Sequence, residues 1–360
     1  MVGRKPGKGP TMADVARKAG VSVTTVSHAL NGSRAVADAT RARIVSAAAE
    51  LGYVPDDLLR ESRTRGLRTV GLAMSAISNP YFGYAVQGIE ETLSRAGYSI
   101  LLAETHDDEE GQSQAVTQLL RKHVDAVILA PVGDAGRVLG FIESREVPVV
   151  AIDRPVAHDV DQVAVENTEP TARLVDHFAE LGHQRIALIG GRDRLGTTVE
   201  REDGYRLGLR RNGLDWRADL HERGDSTIDG AAAALMRLLS LSHPPTALIT
   251  ANNSMTVGAL RAAKVRGVRI PSDVALASFD DFEWAELVSP SLTAVSQPAR
   301  SLGAHAAELV LSRLADPGLP PRQLRLATTF EHRESCGCAV PPPGSGLLAN
   351  SAPPTFSASR

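Results

Sequence analysis

Four side chains near the start of the chain have the chemistry that reads the edges of base pairs. Val23, Thr24, Ser27 and His28 fall on one face of a short predicted helix. A valine methyl packs against the methyl group of thymine, a hydroxyl bonds to any base, and an imidazole N–H suits the N7 or O6 of guanine. This helix can therefore read DNA, provided that the elements before it hold it in a groove.

The segment 11–32 predicts two short helices joined by a tight turn. Thr11 and Asp14 are spaced as a capping box, Gly20 supplies a left-handed turn residue, and Ser22 caps the second helix. A helix-turn-helix presents the first half of its second helix to base edges in this way. On the helix pattern alone, an ordinary helical hairpin with a solvated polar face is an equal alternative.

Charge favours the first interpretation. Residues 1–66 hold eleven lysines and arginines against six acidic residues, a net charge of +5, whereas the whole chain carries −3. The remaining residues therefore carry −8. A basic head on an acidic body is typical of a module that binds a polyanion, attached to a domain with another task.

The composition is that of a globular protein of two or three domains. The chain has 360 residues, of which 43% are hydrophobic and 22% are charged. We find no apolar run of about 18 residues, so we expect no membrane span, no signal peptide and a cytoplasmic protein. A phosphate-binding glycine loop, a nucleophile elbow and a His-Glu-x-x-His motif are all absent from the sequence, so we do not expect an enzyme.

The sulfur and imidazole groups do not have the spacing of a metal site. Cys336 and Cys338 stand one residue apart, which is neither a zinc spacing nor a disulfide framework, so two reduced thiols are expected. His177 and His183 lack a cysteine or carboxylate at metal spacing and are interpreted as structural. We expect no metal and no cofactor.

From Arg68 onward, apolar strand candidates alternate with helical stretches, which indicates mostly parallel sheets. The predicted strands are 69–74, 99–103, 126–130, 149–152, 185–189, 247–250 and 274–279, and the predicted helices include 83–96, 112–122, 168–181 and 253–265. The predicted strands and helices are more numerous than one small sheet needs, so we expect two α/β lobes with a cleft between them. The predicted fold is a small all-α helix-turn-helix head joined by a hinge to a two-lobed α/β core.

Polar side chains follow several of these strands, at the edge where open α/β sheets bind ligands. They are Asp153 and Arg154, Asn252, Asp280, Gln297 in a predicted crossover at 293–298, and Arg201 at the entry to a helix predicted near Asp203. Carboxylate, guanidinium and amide groups together can bind adjacent hydroxyls. Taken singly, each is better explained as a strand-end cap or a surface residue.

The head, residues 11–65, resembles that of the LacI/GalR family of transcriptional regulators. The likeness lies in DVARKAGVS (14–22), TVS (25–27), LNG (30–32) and AELGYVP (49–55), and it continues through the body to about Gly337. The resemblance implies a third helix at about 38–51 and a homodimer that binds palindromic operator DNA. It implies the following DNA-binding residues: Thr11, Ser22, Val23, Thr24, Thr25, Ser27, His28, Asn31, Tyr53, Leu58, Leu59 and Ser62.

The hinge departs from the family pattern. In the family, a hinge helix forms on DNA and a leucine from each subunit wedges into the minor groove. Ser62 stands at that position here, and Leu58 and Leu59 lie one turn earlier. Because a serine is a poor wedge, we expect this protein to bend its operator less than its relatives do.

The body resembles type I periplasmic sugar-binding proteins, and ISNPYF (77–82) resembles the loop that closes over their ligand. The resemblance implies an effector site made of Asn79, Tyr81, Phe82, Asp153, Arg154, Arg201, Asn252, Asp280 and Gln297. A sugar or polyol is the expected effector of a repressor, and a purine or sugar-phosphate corepressor stays open. The core alone would also suit a transport-type sugar-binding protein, which the missing signal peptide disfavours.

These inferences divide the chain into five parts. They are a basic disordered arm at 1–10, the helix-turn-helix domain at 11–55, a hinge at 56–67, a core for effector binding and dimerisation at 68–339, and a disordered tail at 340–360. Within the core, we expect the N-lobe at about 68–166 and 298–326, and the C-lobe at about 167–297 and 327–339.

Overall fold

The computed structural model describes residues 11–31, 36–51, 68–75, 79–133 and 135–338. The chain divides between Thr69 and Val70 into two compact units, which are described one at a time. The predicted arm, hinge and tail lie outside the described residues, and so do the predicted DNA-binding residues Tyr53, Leu58, Leu59 and Ser62.

The first unit contains three helices: α1 (Met12–Ala19), α2 (Val23–Asn31) and α3 (Asp38–Leu51). The capping box predicted at the start of α1 is present, because the Thr11 N–H donates to Asp14 Oδ2 at 2.9 Å and the Asp14 N–H donates to Thr11 Oγ1 at 3.4 Å. Gly20 ends α1 in the left-handed conformation, at φ 66°. One buried cluster joins the three helices, which confirms the predicted helix-turn-helix packing.

The second unit contains two six-stranded sheets. The N-lobe sheet has the order β11-β5-β4-β3-β1-β2 and the C-lobe sheet the order β12-β10-β9-β8-β6-β7. The strands are β1 (Thr69–Ala73), β2 (Ser99–Ala103), β3 (Ala126–Leu129), β4 (Val149–Asp153), β5 (Asp161–Val165), β6 (Ile186–Gly190), β7 (His221–Arg223), β8 (Ala247–Thr250), β9 (Ala275–Phe279), β10 (Thr293–Ser296), β11 (Gln323–Leu326) and β12 (Thr329–Glu331).

Helices cover both faces of each sheet. They are α4 (Pro80–Arg95), α5 (Glu109–Arg121), α6 (Gly136–Glu143), α7 (Thr168–Glu180), α8 (Gly196–Arg211), α9 (Ile228–Leu239), α10 (Asn253–Arg266) and α11 (Ala299–Ala315). Central strands such as β3, β6 and β9 are buried at every position, as parallel strands between two helical layers must be. The chain passes between the lobes after β5, after β10 and after β11. In the part of the chain that the structure describes, none of the helices combines the length and the apolar content of a membrane span.

The seven predicted strands lie within one residue of observed ones, but five strands escaped prediction: β5, β7, β10, β11 and β12. The predicted crossover at 293–298 is wrong over its first four residues, which form β10 beside β9. The predicted start of a helix near Asp203 is also wrong. Helix α8 begins at Gly196, so Arg201 lies inside it rather than at its entry.

Two glycines let α4 and α11 cross in close contact in the N-lobe. A Cβ added at Gly303 would lie 1.9 Å from the Ala85 carbonyl oxygen, and one at Gly88 would lie 2.0 Å from the Arg300 carbonyl oxygen. Both neighbours are backbone atoms of the opposite helix, which cannot rotate away. The helices could keep this spacing only if both positions lack a side chain.

We therefore expect Gly303→Ala to destabilise the core by about 1–3 kcal/mol through overpacking. The matched control is Gly140→Ala in α6, where an added Cβ meets no atom within 4 Å. That change should stabilise the core by about 0.5–1 kcal/mol, since alanine favours the helix. Calorimetric unfolding of both variants tests the pair, and a Gly303→Ala core as stable as wild type would contradict the tight crossing.

Candidate functional site

The first candidate surface is the start of α2. Val23 is 46% exposed although it is apolar, and Thr24 beside it is exposed as well. Ser22 caps the helix, because its Oγ accepts from the Thr25 N–H at 3.1 Å and lies 2.8 Å from Thr25 Oγ1. The cap holds the first turn rigid, so Val23 and Thr24 stand at a fixed place on the surface.

Further along the same helix, Ser27 and His28 are half-buried. They follow Val23 and Thr24 by four residues each, so the two pairs lie on neighbouring turns of one helical face. Asn31 is the last residue of α2, and Thr11 caps α1. The observed helix thus presents Val23, Thr24, Ser27 and His28 on one face, where the sequence predicts base contacts.

The second candidate site is a cavity of about 540 Å³ between the two lobes of the core. All nine residues predicted for the effector site line it: Asn79, Tyr81, Phe82, Asp153, Arg154, Arg201, Asn252, Asp280 and Gln297. The edges where β4 and β9 end face each other across the cavity, which explains why strand-end residues distant in sequence meet here.

Two buried carboxylates dominate this cavity. Asp153 ends β4 and is 5% exposed, while Asp280 follows β9 and is 4% exposed. Each has a positive φ, 69° for Asp153 and 76° for Asp280, which is uncommon for residues other than glycine. Strained backbone of this kind concentrates at ligand sites, where the surrounding structure enforces it.

The Asp153 carboxylate is only partly compensated within the protein. It accepts a hydrogen bond from the Tyr81 hydroxyl at 2.8 Å and lies 3.7 Å from Arg154 Nε. Burial nevertheless raises the pKa of Asp153, against the opposing effect of Arg154. Burial and the neighbouring Asp153 raise the pKa of Tyr81 well above its ordinary value, so its hydroxyl stays a donor.

The Asp280 carboxylate has two partners, one at the start of α10 and one just after β10. It accepts from the Asn253 N–H at 3.3 Å and from the side-chain amide of Gln297. Asn79 Oδ1 accepts from Asn253 Nδ2 at 2.9 Å, which joins this group to the N-lobe. A ligand at Asp280 would therefore contact residues that join the two lobes.

The Arg201 guanidinium is fixed from three sides. Its Nε donates to Asn167 Oδ1 at 2.8 Å, one terminal nitrogen donates to the Ala251 carbonyl oxygen at 2.5 Å, and the Phe279 ring lies 3.7 Å from Cζ. The side chain is 6% exposed. Such a guanidinium is held ready for a ligand at little cost in side-chain entropy.

Two buried polar atoms of the cavity wall lack a hydrogen bond. Arg154 Nε and Gln297 Oε1 have no hydrogen-bond partner among the described residues. An unsatisfied buried group costs about 1–3 kcal/mol, so these two atoms destabilise the ligand-free core.

The two asparagines of the predicted site also cap helices. Asn79 Oδ1 accepts from the Tyr81 N–H at 3.0 Å at the start of α4, and Asn252 Oδ1 accepts from the Met255 N–H at 2.8 Å at the start of α10. Their side-chain oxygens therefore have a structural role as helix caps, which is the alternative to ligand binding that the sequence analysis left open. The amide nitrogens are then the atoms that can donate to a ligand.

Sequence reasoning missed several polar residues of the cavity wall. Glu104 and Asp107 follow β2, and Asp225 follows β7, a three-residue strand that was not predicted. Arg192 was missed as well. One of its terminal nitrogens donates to the Asp107 carbonyl oxygen at 2.8 Å and so bridges the lobes at the cavity. The available signal was the clustering of acidic residues after β2.

The charge of the wall is negative. Among the described residues that line the cavity, six bear carboxylates and three bear guanidiniums. Tyr81 and Phe82 add phenyl rings whose centroids are 5.2 Å apart at an interplanar angle of 68°. The arrangement can surround a neutral polar molecule with acceptors and donors, with an apolar wall on one side.

Comparison with known proteins gives matches over both units. Residues 11–56 match the family model "Bacterial regulatory proteins, lacI family", and residues 175–336 match a periplasmic binding protein-like domain. The chain is 32% identical to the ribose operon repressor of Escherichia coli K12, over 90% of this chain and 99% of that protein. It is 33% identical to the transcriptional repressor PurR of Vibrio atlanticus, over 85% of this chain and 92% of that protein.

A solved structure matches along most of the chain as well. The lac repressor dimer bound to operator and the anti-inducer ONPF has a TM-score of 0.75 and 26% identity. The match covers 91% of this chain and 99% of that one.

The buried Asp153 carboxylate should make the ligand-free protein sensitive to pH. Because the pKa of Asp153 is raised on folding, the unfolded chain releases this proton first, and stability falls as pH rises from about 4 through the folded pKa. Asp153→Asn should remove that loss, so the variant gains melting temperature relative to wild type at pH 7 but not at pH 4. Thermal unfolding at both pH values measures this, and an equal difference at the two would refute it.

Proposed function

The chain belongs to the lacI family of bacterial regulatory proteins and is a DNA-binding transcriptional repressor with an effector-binding core, and we propose that its effector is a small sugar or polyol bound between the two lobes. The observation that carries the proposal is the pair of buried carboxylates, Asp153 and Asp280, facing one cavity together with Arg154 and Arg201.

Adjacent hydroxyls match this set of groups. A carboxylate accepts from two neighbouring hydroxyls, and a guanidinium donates to two oxygens in the same plane. The Tyr81 and Phe82 rings offer an apolar wall to the C–H face of a sugar ring. The volume of about 540 Å³ lies within the usual range of small-molecule pockets.

Other effector classes fit the cavity less well. A sugar phosphate would add negative charge beside six carboxylates with three guanidiniums to balance them. A flat purine is best held between two aromatic or apolar faces, whereas the phenyl rings among the described lining residues, Tyr81 and Phe82, both come from the start of α4. A purine stays the second candidate effector, because the chain is about as similar to the repressor PurR (33% identity) as to the ribose operon repressor (32% identity).

The helix-turn-helix head argues against a transport-type sugar-binding protein. We infer that the lysines, arginines and helix N-termini of the head contact DNA phosphates and supply most of the affinity for DNA. The DNA affinity is therefore salt-dependent. Base reading comes from Val23, Thr24, Ser27 and His28. Thr11, Ser22, Thr25, Asn31 and Tyr53 of the helix-turn-helix domain also contact the DNA, as the family resemblance implies. Leu58, Leu59 and Ser62 contact the operator through the hinge.

The protein acts as a homodimer on a palindromic operator in this proposal. The lac repressor to which the chain is similar is a dimer on its operator. In the C-lobe, the Phe282 and Trp284 rings pack with centroids 3.9 Å apart, and Leu287 beside them is 83% exposed. An exposed apolar patch of this kind suits a subunit interface.

A thermal-shift screen of the full chain tests the effector class. The panel contains D-ribose, other pentoses, hexoses, polyols, sugar phosphates, hypoxanthine and guanine. We expect a sugar or polyol to raise the melting temperature, because a ligand at 100 times its dissociation constant stabilises the native state by about 2.7 kcal/mol. Asp280→Asn should abolish the shift, since Asp280 loses its second acceptor oxygen.

The matched control is Asp159→Asn, which removes the same charge from an exposed N-lobe residue outside the cavity and should keep the full shift. A shift with purines or sugar phosphates alone would overturn the sugar proposal. A shift with a sugar that survives Asp280→Asn would place the site elsewhere.

His28 provides the corresponding test for DNA reading. His28→Ala should cost about 1–3 kcal/mol in binding to an operator selected from random-sequence DNA, because a base contact is lost. Binding to scrambled DNA should hardly change. Fluorescence anisotropy with both DNAs at fixed salt measures the difference, and an equal loss on both would make His28 a phosphate contact instead.

A further inference from the structure

Four soft or borderline metal-binding groups meet in the C-lobe, away from the residues of the cavity wall. They belong to His177, His332, Cys336 and Cys338, and one ligand atom from each lies within 4.8 Å of all the others. Cys336 Sγ and Cys338 Sγ are 2.9 Å apart, His332 Nε2 contacts Cys338 Sγ, and His177 Nε2 lies 3.9 Å from that sulfur. The sequence predicted no metal site, because His177 stands about 155 residues before the other three.

The fold holds these groups in place independently of any ion. His177 lies on α7, one residue before Phe178, which is fully buried in the C-lobe core. The segment that bears the other three follows β12, the edge strand of the C-lobe sheet. The His177 ring also packs edge-on against the His332 ring, with centroids 5.1 Å apart.

Hydrogen bonds hold the segment that bears the two cysteines. Ser335 Oγ accepts from the Thr293 N–H at 2.8 Å and donates to the Leu276 carbonyl oxygen at 2.7 Å. Arg333 pairs with Asp281 at 2.8 Å. Cys336 is buried between these anchors and Cys338 is half-buried. The sulfurs are therefore confined to one short stretch facing α7.

The chemistry of the donors selects the ion. Two thiolates and two imidazoles in a tetrahedral arrangement are typical of zinc, with Zn–S distances of about 2.3 Å and Zn–N distances of about 2.0–2.1 Å. Those bond lengths place neighbouring ligand atoms roughly 3.3–3.8 Å apart. The observed separations lie on both sides of that range, so the side chains must rotate to complete the tetrahedron. Four protein ligands leave no open position, which is the mark of a structural site.

We propose that His177, His332, Cys336 and Cys338 bind one zinc ion, which fastens the last segment of the core to helix α7. The ion replaces the thiol protons, and binding releases them to solvent. Because the ligands come from both ends of the C-lobe sequence, the ion closes a long loop and stabilises this lobe.

The test uses the untagged full-length chain, expressed with zinc and purified without a chelator. We expect elemental analysis to find about one zinc per chain. Exchange with Co²⁺ should produce the visible absorption of tetrahedral cobalt with a thiolate charge-transfer band. A strong chelator should lower the melting temperature of the wild type.

Variants assign the ligands. Cys338→Ser and, separately, His177→Gln should each lose most of the zinc and the cobalt spectrum. The matched control is His183→Gln, which removes an imidazole close to His177 that bonds to Thr246 Oγ1 at 2.9 Å and is not one of the four groups. It should keep one zinc. If one ligand variant fails to fold, the other carries the test.

Three results would overturn the proposal. One is a chain that takes up no zinc while both thiols react with a thiol reagent. Another is a mass two units low with no reactive thiol, which would indicate a Cys336–Cys338 disulfide. The third is zinc retained by both ligand variants, which would place it elsewhere. The sugar response of the cavity is a separate readout, so its failure would not be confused with failure of the zinc site.

Discussion

The burial of two carboxylates at facing sheet edges is the constraint on which the core depends. Asp153 and Asp280 are each at least 95% removed from solvent and held at positive φ, and burial raises the pKa of Asp153 despite its partners. Ionised groups in such places destabilise a fold unless hydrogen bonds or charges meet them. The neighbouring guanidiniums and the Tyr81 hydroxyl meet part of that need, and in our account a bound sugar meets the rest. We therefore propose that the core is most stable with a ligand bound in the cavity.

Both units place their functional groups at helix starts. In the head, Ser22 fixes the first turn of α2 and so the side chains that we propose read the bases. In the core, Asn79 and Asn252 cap α4 and α10, whose first turns face the cavity. Caps make these turns rigid and leave N–H groups directed outward, which suits phosphate oxygens in one unit and hydroxyls in the other. One local device thus supports two kinds of recognition.

Short-range features were the predictable part of this protein. The capping box, the turn at Gly20 and the ends of the central strands follow from local rules, and they placed Asp153 and Asp280 correctly at the ends of their strands, where the two sheets face the cavity. Features that depend on distant parts of the chain were missed. Strand β7 is too short for a pattern, which hid Asp225. His177 meets the cysteines only because an edge strand returns the end of the chain to α7.

Linkage between effector and DNA tests the central claim most directly. The measurement is the operator affinity of the full chain by fluorescence anisotropy, with and without a saturating concentration of the sugar that binds, at one salt concentration. We expect a change of about tenfold or more, corresponding to a coupling of about 1.4 kcal/mol, and an equal change in sugar affinity when DNA is bound. An operator affinity that is the same with and without the sugar would contradict it.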